Sequence, residues 1–247
     1  MAIKTNIELI NALYDLLNNY KTVYMWGVFG SIVTEKLIQQ KSAQYPAWYT
    51  LPRVQKFYSL VGKNYFGFDC VNTIKGLLWG WSGDRTHANG GAQYAANGVL
   101  ETNADGMIAK CSGVSGLFQN IVPGEVVWMS GHIGTYVGDG KVIECTDAWD
   151  GCVQMTALAG TEAARTHKVH KWLKHGKLPY IQYIEEAGEV YSQMKIQISD
   201  APVKEIPSVL KDDYNHPQFR PLMDMLGYDI EYDKESKVTT ITPKKAG

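Results

Sequence analysis

Cysteine is scarce in this sequence: four residues, Cys70, Cys111, Cys145 and Cys152, stand among 247. That is too few to staple a chain of this length, so a disulfide scaffold is excluded. Long apolar runs are missing as well. Nothing approaches the roughly 18 consecutive apolar residues of a membrane span. The opening residues, Met1-Ala2-Ile3-Lys4-Thr5-Asn6, carry no apolar core of the signal-peptide kind, so the expectation is a protein that stays in the cytoplasm until released to an outside target. Net charge is all but absent, at −1, which argues against a polyanion-binding surface and a nucleic-acid partner. Metal-ligand spacings are lacking too. His167, His170 and His175 with Cys145 and Cys152 contain neither Cys-x2-Cys nor His-Glu-x2-His, and strand-edge histidines account for them. Turn chemistry rather than calcium explains Asp139-Gly140 with Glu125. No metal and no cofactor are expected.

Aromatic residues are what the chain has in quantity, with 15 Tyr and 7 Trp. They suit a core first and a groove for a polymeric substrate second. Thr5-Asn6-Ile7-Glu8 reads as a capping box ahead of a helix with Leu9, Leu13, Leu16 and Tyr20 on one face. Tyr24 to Gly30 reads as a tight buried corner, and 31–66 as an excursion of short helices broken at Pro46 and Pro52. A buried helix from Cys70 should stop near Gly80 or Gly83. Short helices are expected near 91–96 and 105–111, in a stretch rich in Gly and Asn. The period then changes to two. Strands are expected at 126–129, 132–137 and 142–146, with a hairpin turn at Asp139-Gly140, followed by 153–156, 167–172 and 178–183. Helices first and a meander afterwards make an α+β domain over 1–187. Polar residues from Ile184 to Glu189 mark a boundary to a small α+β module over 188–247, with strands at 194–198, 228–232 and 238–242 and a helix near 216–226.

Chemistry centres on Phe68-Asp69-Cys70-Val71-Asn72. Val71, Ile74, Leu77 and Leu78 recur at helical spacing, which puts Cys70 at a helix N-terminus where unpaired N–H groups and the dipole favour a thiolate. A buried, inert thiol is the commoner fate of a free cysteine. His132 opens a strand in an otherwise apolar sheet, and Glu144 is an acid with apolar neighbours inside another, unfavourable unless paired. With a two-residue turn at Asp139-Gly140, Glu144 would face Thr135, and Asp147 would face His132. A bulge is needed to bring Glu144 onto the His132 face, so Asp147 remains a rival partner.

The order Tyr24-Met25-Trp26-Gly27, Gly67-Phe68-Asp69-Cys70, Pro123-Gly124-Glu125-Val126-Val127-Trp128 and His132-Ile133-Gly134-Thr135-Tyr136-Val137-Gly138 resembles the NlpC-type papain-like cysteine peptidases. These bacterial and phage enzymes cut peptidoglycan stem peptides. The likeness spans about residues 6–183 and implies a papain-like domain, helices packed on an antiparallel sheet. It implies Cys70 as nucleophile, His132 as base and Glu144 as the third polar residue, with Tyr24 lining the site. Trp26 and Asp69 fall in the same motifs as substrate-binding or oxyanion candidates. The chain departs from the family in Val71-Asn72, where Ser-Gly is usual, and in Glu144, where His is commoner. An insertion between Gly27 and Gly67 supplies a second candidate tyrosine, Tyr65. The C-terminal module, through Phe219-Arg220-Pro221-Leu222 and Leu226-Gly227-Tyr228-Asp229, is similar to the N-terminal stalk domain of copper amine oxidases, implying attachment or spacing without copper. Together these imply a peptidoglycan endopeptidase of the phage or prophage lysin kind. The alternatives are an N-acetylmuramoyl-L-alanine amidase on the same scaffold or a non-catalytic wall-binding module.

Overall fold

The computed structural model describes residues 3–184, 191–198, 204–209, 228–233 and 238–244. The chain divides into two compact units, Met1–Ile184 and Glu185–Gly247. Both helices and antiparallel sheet are present, as α+β patterning requires. No helix among the described residues is long and apolar enough to cross a membrane.

The first unit begins with α1 (Asn6–Asn19). Thr5 Oγ1 accepts from Glu8 N at 3.2 Å and Glu8 Oε2 accepts from Thr5 N at 3.1 Å, so the capping box is closed in both directions. Leu9, Leu13 and Leu16 are fully buried by this helix. A small sheet follows: β1 (Lys21–Tyr24), β2 (Phe29–Ile32) and β3 (Tyr65–Phe68) in the order β1-β3-β2. The parallel β1–β3 pair sets Tyr24 beside Phe68. Four-residue strands of this kind carry too few residues for alternation to show, and the sequence reading missed all three. The excursion between β2 and β3 holds α2 (Glu35–Gln44) and α3 (Leu51–Tyr58) over a core of its own, with Ile38, Tyr49 and Phe57. Pro52 starts α3 rather than breaking a helix, because the first turn needs no N–H from it.

Helix α4 (Cys70–Leu78) leaves β3 directly, and all nine of its residues are buried. Beyond it the chain makes two single 3-10 turns, at Ala88–Gly91 and Ala96–Gly98, where a helix near 91–96 was expected. Asn89, Ala95 and Asn97 there take positive φ, which an α-helix cannot accommodate. Asn103 then caps α5 (Ala104–Lys110), its side chain accepting from Gly106 N at 2.7 Å.

The larger sheet has six strands, β4 (Ser112–Ser115), β5 (Val126–Met129), β6 (His132–Gly138), β7 (Lys141–Cys145), β8 (Val153–Ala157) and β9 (Lys174–Lys177), in the order β4-β9-β5-β6-β7-β8. Two expected strands are absent. Residues 167–172 make a single bridge, Val169 to Ala157, and 178–183 only the bridge of Gln182 to Thr5. Pro179 cannot donate to a ladder. The 167–172 stretch instead turns His170 and Trp172 against β6, and sheet pairing resumes at β9.

In the second unit the strands are β10 (Tyr191–Ile198), β11 (Lys204–Val209), β12 (Tyr228–Asp233) and β13 (Val238–Pro243), in the order β11-β10-β13-β12, with β10 and β13 parallel. Strand β11 was not anticipated. The expected helix near 216–226 lies outside the described residues.

Candidate active site

Cys70 is the first residue of α4, and Asp69 is its N-cap. Asp69 Oδ1 accepts from Asn72 N at 2.8 Å, and Oδ2 accepts from Asn72 Nδ2 at 2.7 Å and Gly27 N at 2.8 Å. One carboxylate therefore fixes both the helix start and the Trp26-Gly27 turn. With three donors on its oxygens and no proton to give while ionised, Asp69 is suited to holding the site's shape rather than to stabilising an oxyanion. Burial pushes its carboxyl up, against the hydrogen bonds from Asn72 and Gly27. Asp69→Ala removes a cap and strands buried donors, and should cost about 2–4 kcal/mol in urea unfolding. Asp69→Asn, which keeps an acceptor at the cap, should cost less.

The sulfur of Cys70 faces the backbone N–H groups of Val71 and Ile133, so it lies beside the start of β6 where His132 stands. Here the expectation of a lowered thiol pKa fails. Burial, and after it the Asp69 carboxylate, push Cys70 up to about 12. These outweigh the N–H groups that favour the thiolate. Burial likewise lifts Cys111 to about 12, raises Cys152 and takes Cys145 well above the usual thiol range. Ionisation alone does not single out Cys70. Its position does: it starts a helix and lines a cavity of about 410 Å³ together with Trp26, Tyr45, Asn72, Lys75 and Asp105. Because the resting thiol is neutral, alkylation of Cys70 by iodoacetamide should rise roughly tenfold per pH unit from 7 to 10. A plateau below pH 8 in mass-spectrometric labelling would instead reveal a preformed thiolate.

The hairpin between β6 and β7 answers the question of register. Asp139 and Gly140 both take positive φ in a two-residue turn. Gly138 pairs with Lys141 and Tyr136 with Val142, which leaves Val137 unopposed in a bulge. The bulge moves Ile143 opposite Thr135 and carries Glu144 on towards Gly134, so Glu144 and His132 share a face. Gly134 leaves the room for them to meet. A Cβ there would lie 2.8 Å from Val142 Cγ1 and 3.1 Å from Glu144 Cβ.

His132 Nε2 is 2.5 Å from Glu144 Oε2. Thr156 Oγ1 donates to Glu144 Oε1. Burial by itself would raise the Glu144 carboxyl, but the hydrogen bonds from His132 and Thr156 and the nearby His170 hold it below the usual carboxylate range. Glu144 is therefore an anion inside the sheet, and His132 Nε2–H is the donor to it. The His132 ring stacks on Trp172 with centroids 5.5 Å apart and planes 14° from parallel. Asp105 holds the turn before His132, its Oδ1 accepting from Gly131 N at 2.9 Å and from Trp128 Nε1 at 2.8 Å. Asp147 is elsewhere, at the surface in an ion pair with Arg53.

Tyr24, 7% exposed, lies near Cys70: burial first, then the Cys70 and Asp69 charges, raise its phenol far above the ordinary value. Tyr65 starts β3, three positions before Phe68 in a ladder that pairs it with Lys21, and packs with the core of the excursion. Trp26 is 41% exposed at the cavity.

From the sequence, Lys75 has no expected role and His170 is a strand-edge histidine, yet the structure puts both near the site. Lys75, 1% exposed, donates to Glu101 Oε1 at 2.6 Å and Thr102 O at 2.7 Å beneath the cavity. A lysine inside the apolar run of α4 was the available signal. His170 contacts Glu144, and no sequence spacing points to that pairing.

No family model matches the chain, and no curated protein matches it. Among solved structures, NlpC2 from Trichomonas vaginalis is similar over 70% of this chain and 46% of that one, at 14% identity and a TM-score of 0.36. The chain thus spans less than half of the length of that neighbour.

Proposed function

We propose that the first unit is a cysteine hydrolase that cuts an amide bond in peptidoglycan stem peptides. The observation that carries this reading is the placing of Cys70 at a helix N-terminus, its sulfur facing Ile133 N–H, next to a His132 that a buried glutamate holds. In this reading Glu144 keeps the proton on His132 Nε2, which leaves Nδ1 as the lone pair able to take the Cys70 proton. Attack by sulfur on the amide carbonyl then makes a thioester and releases the amine, which takes its proton from the imidazolium. Water, deprotonated by His132, hydrolyses the thioester and restores the thiol. A neutral resting thiol suits this order of events, since the base acts at the moment of attack. The Cys70 N–H at the helix start is the proposed oxyanion donor, and the protonated Tyr24 phenol its neighbour. Trp26 and the cavity beside it receive the peptide.

Digestion of purified peptidoglycan, with mass spectrometry of the soluble products, tests the assignment. New amino termini within the stem peptide support an endopeptidase. Free lactyl groups with intact stems would make the protein an N-acetylmuramoyl-L-alanine amidase. Absence of any new end would leave only a wall-binding role.

A further inference from the structure

Glu144 is approached by two histidines, not one. His170 Nε2 lies 3.2 Å from the same Oε2 that His132 Nε2 meets at 2.5 Å. The three donor atoms fall within 4.8 Å of one another, on side chains only 10%, 0% and 15% exposed for His132, Glu144 and His170. His170 Nε2 is buried, and its 3.2 Å approach to the carboxylate does not complete a hydrogen bond. A polar atom left so has a cost that a ligand would remove.

From this geometry we infer a divalent transition-metal site of the His2Glu type, built from His132, Glu144 and His170, with zinc the ion that this donor set suits best. Nitrogen and oxygen donors bind zinc at about 2.0–2.2 Å, so tetrahedral partners sit roughly 3.3 Å apart. The His170–Glu144 distance is already there, and the His132–Glu144 contact needs to open by under an ångström. Thr156 occupies Glu144 Oε1 and leaves Oε2 to the metal, the outer-shell arrangement that orients a ligating carboxylate. Trp172 stacks on His132, and Trp149 packs on His170 with centroids 4.5 Å apart, so both rings are held in place. The fourth position goes to water.

The ion would act as an inhibitor, a consequence that rests on His132 being the base. An imidazole bound through Nε2 carries its remaining proton on Nδ1, and cannot accept one from Cys70. Zinc and turnover therefore exclude each other at this site.

Metal-free full chain titrated with Co²⁺ and Zn²⁺ tests the site without reference to activity. One Co²⁺ per chain is expected, with visible d–d absorption of low-coordinate nitrogen and oxygen ligation, displaced by Zn²⁺. The Cys70→Ala variant should give the same spectrum. His170→Gln should weaken binding by more than the roughly 10- to 100-fold typical of outer-shell changes, while His167→Gln should leave it unchanged. Absence of saturable binding, a thiolate charge-transfer band, or wild-type affinity in His170→Gln would overturn the site. If His170→Gln does not fold, the Cys70→Ala spectrum decides: retained nitrogen and oxygen bands support the site, and their loss moves the ion to Cys70. Zinc inhibition reversed by a chelator is the added expectation if hydrolysis is established. A protein that binds cobalt as described but hydrolyses nothing would refute the peptidase reading alone.

Discussion

Cys70→Ala is expected to bring hydrolysis of peptidoglycan fragments down to the uncatalysed background while the fold survives. Removing a nucleophile costs on the order of a million-fold in turnover where the rest of the machinery acts only through it. The structural change is small by comparison. The side chain sits 4% exposed at the rim of the cavity, and losing one sulfur there costs about 1–2 kcal/mol. Cys70→Ser should be nearly as inert, because a serine hydroxyl is far less acidic and less nucleophilic than the thiol. Turnover is checked by product release, and folding by circular dichroism on the same samples. An alanine variant with near-normal turnover would end the cysteine-hydrolase reading, whatever its stability.

The second large effect concerns the partner of His132. Glu144→Gln should lower turnover by roughly 10²- to 10⁴-fold, the scale seen when a base loses the group that fixes its tautomer. The neutral amide keeps the volume and one acceptor for Thr156, but it no longer favours a proton on His132 Nε2. Glu144→Ala should match it in rate and add instability, since His132 and Thr156 both lose their buried acceptor. Asp147→Ala is expected to change turnover only a few-fold. Its carboxylate pairs with Arg53 at the surface, where such pairs contribute about 0–1 kcal/mol. Steady-state rates of the three variants on one soluble muropeptide check the order. A larger loss in Asp147→Ala than in Glu144→Gln would transfer the role to Asp147.

Much of this arrangement could be read from the chain because the signals were local. Thr5 and Glu8 stand three apart, Asp69 precedes an apolar helical repeat, and Asp139-Gly140 can form only a few turns. The bulge was legible as a requirement rather than as a fact: parity put Glu144 on the wrong face unless one residue slipped, and Val137 is that residue. What stayed hidden depends on contacts far apart in sequence. His170 reaches Glu144 across the sheet, and the strand expected over 167–172 gives way so that His170 and Trp172 can turn against His132. Cys70 shows the same limit in electrostatics. A helix N-terminus argues for a thiolate, but the burial that opposes it comes from strands and loops that local pattern cannot place. The three-stranded sheet of β1, β2 and β3 escaped notice because its parallel pair is separated by the whole excursion.

Where the first unit starts and where it finishes are neighbours. Asn6 N donates to Gln182 O at 3.0 Å, Gln182 N donates to Lys4 O at 2.8 Å, and the Asn6 side chain holds both Ile184 N, at 2.9 Å, and Pro123 O, at 3.0 Å. Topologically the unit is a ring with one nick in it, and the nick can be moved. A short linker joining residue 184 to residue 3 would close the ring, and new termini could be cut at the exposed Gly160 turn, which lies outside β6, β7 and α4. The same closeness makes the unit a natural insert: it can be carried within a surface loop of another protein as readily as at either end of one.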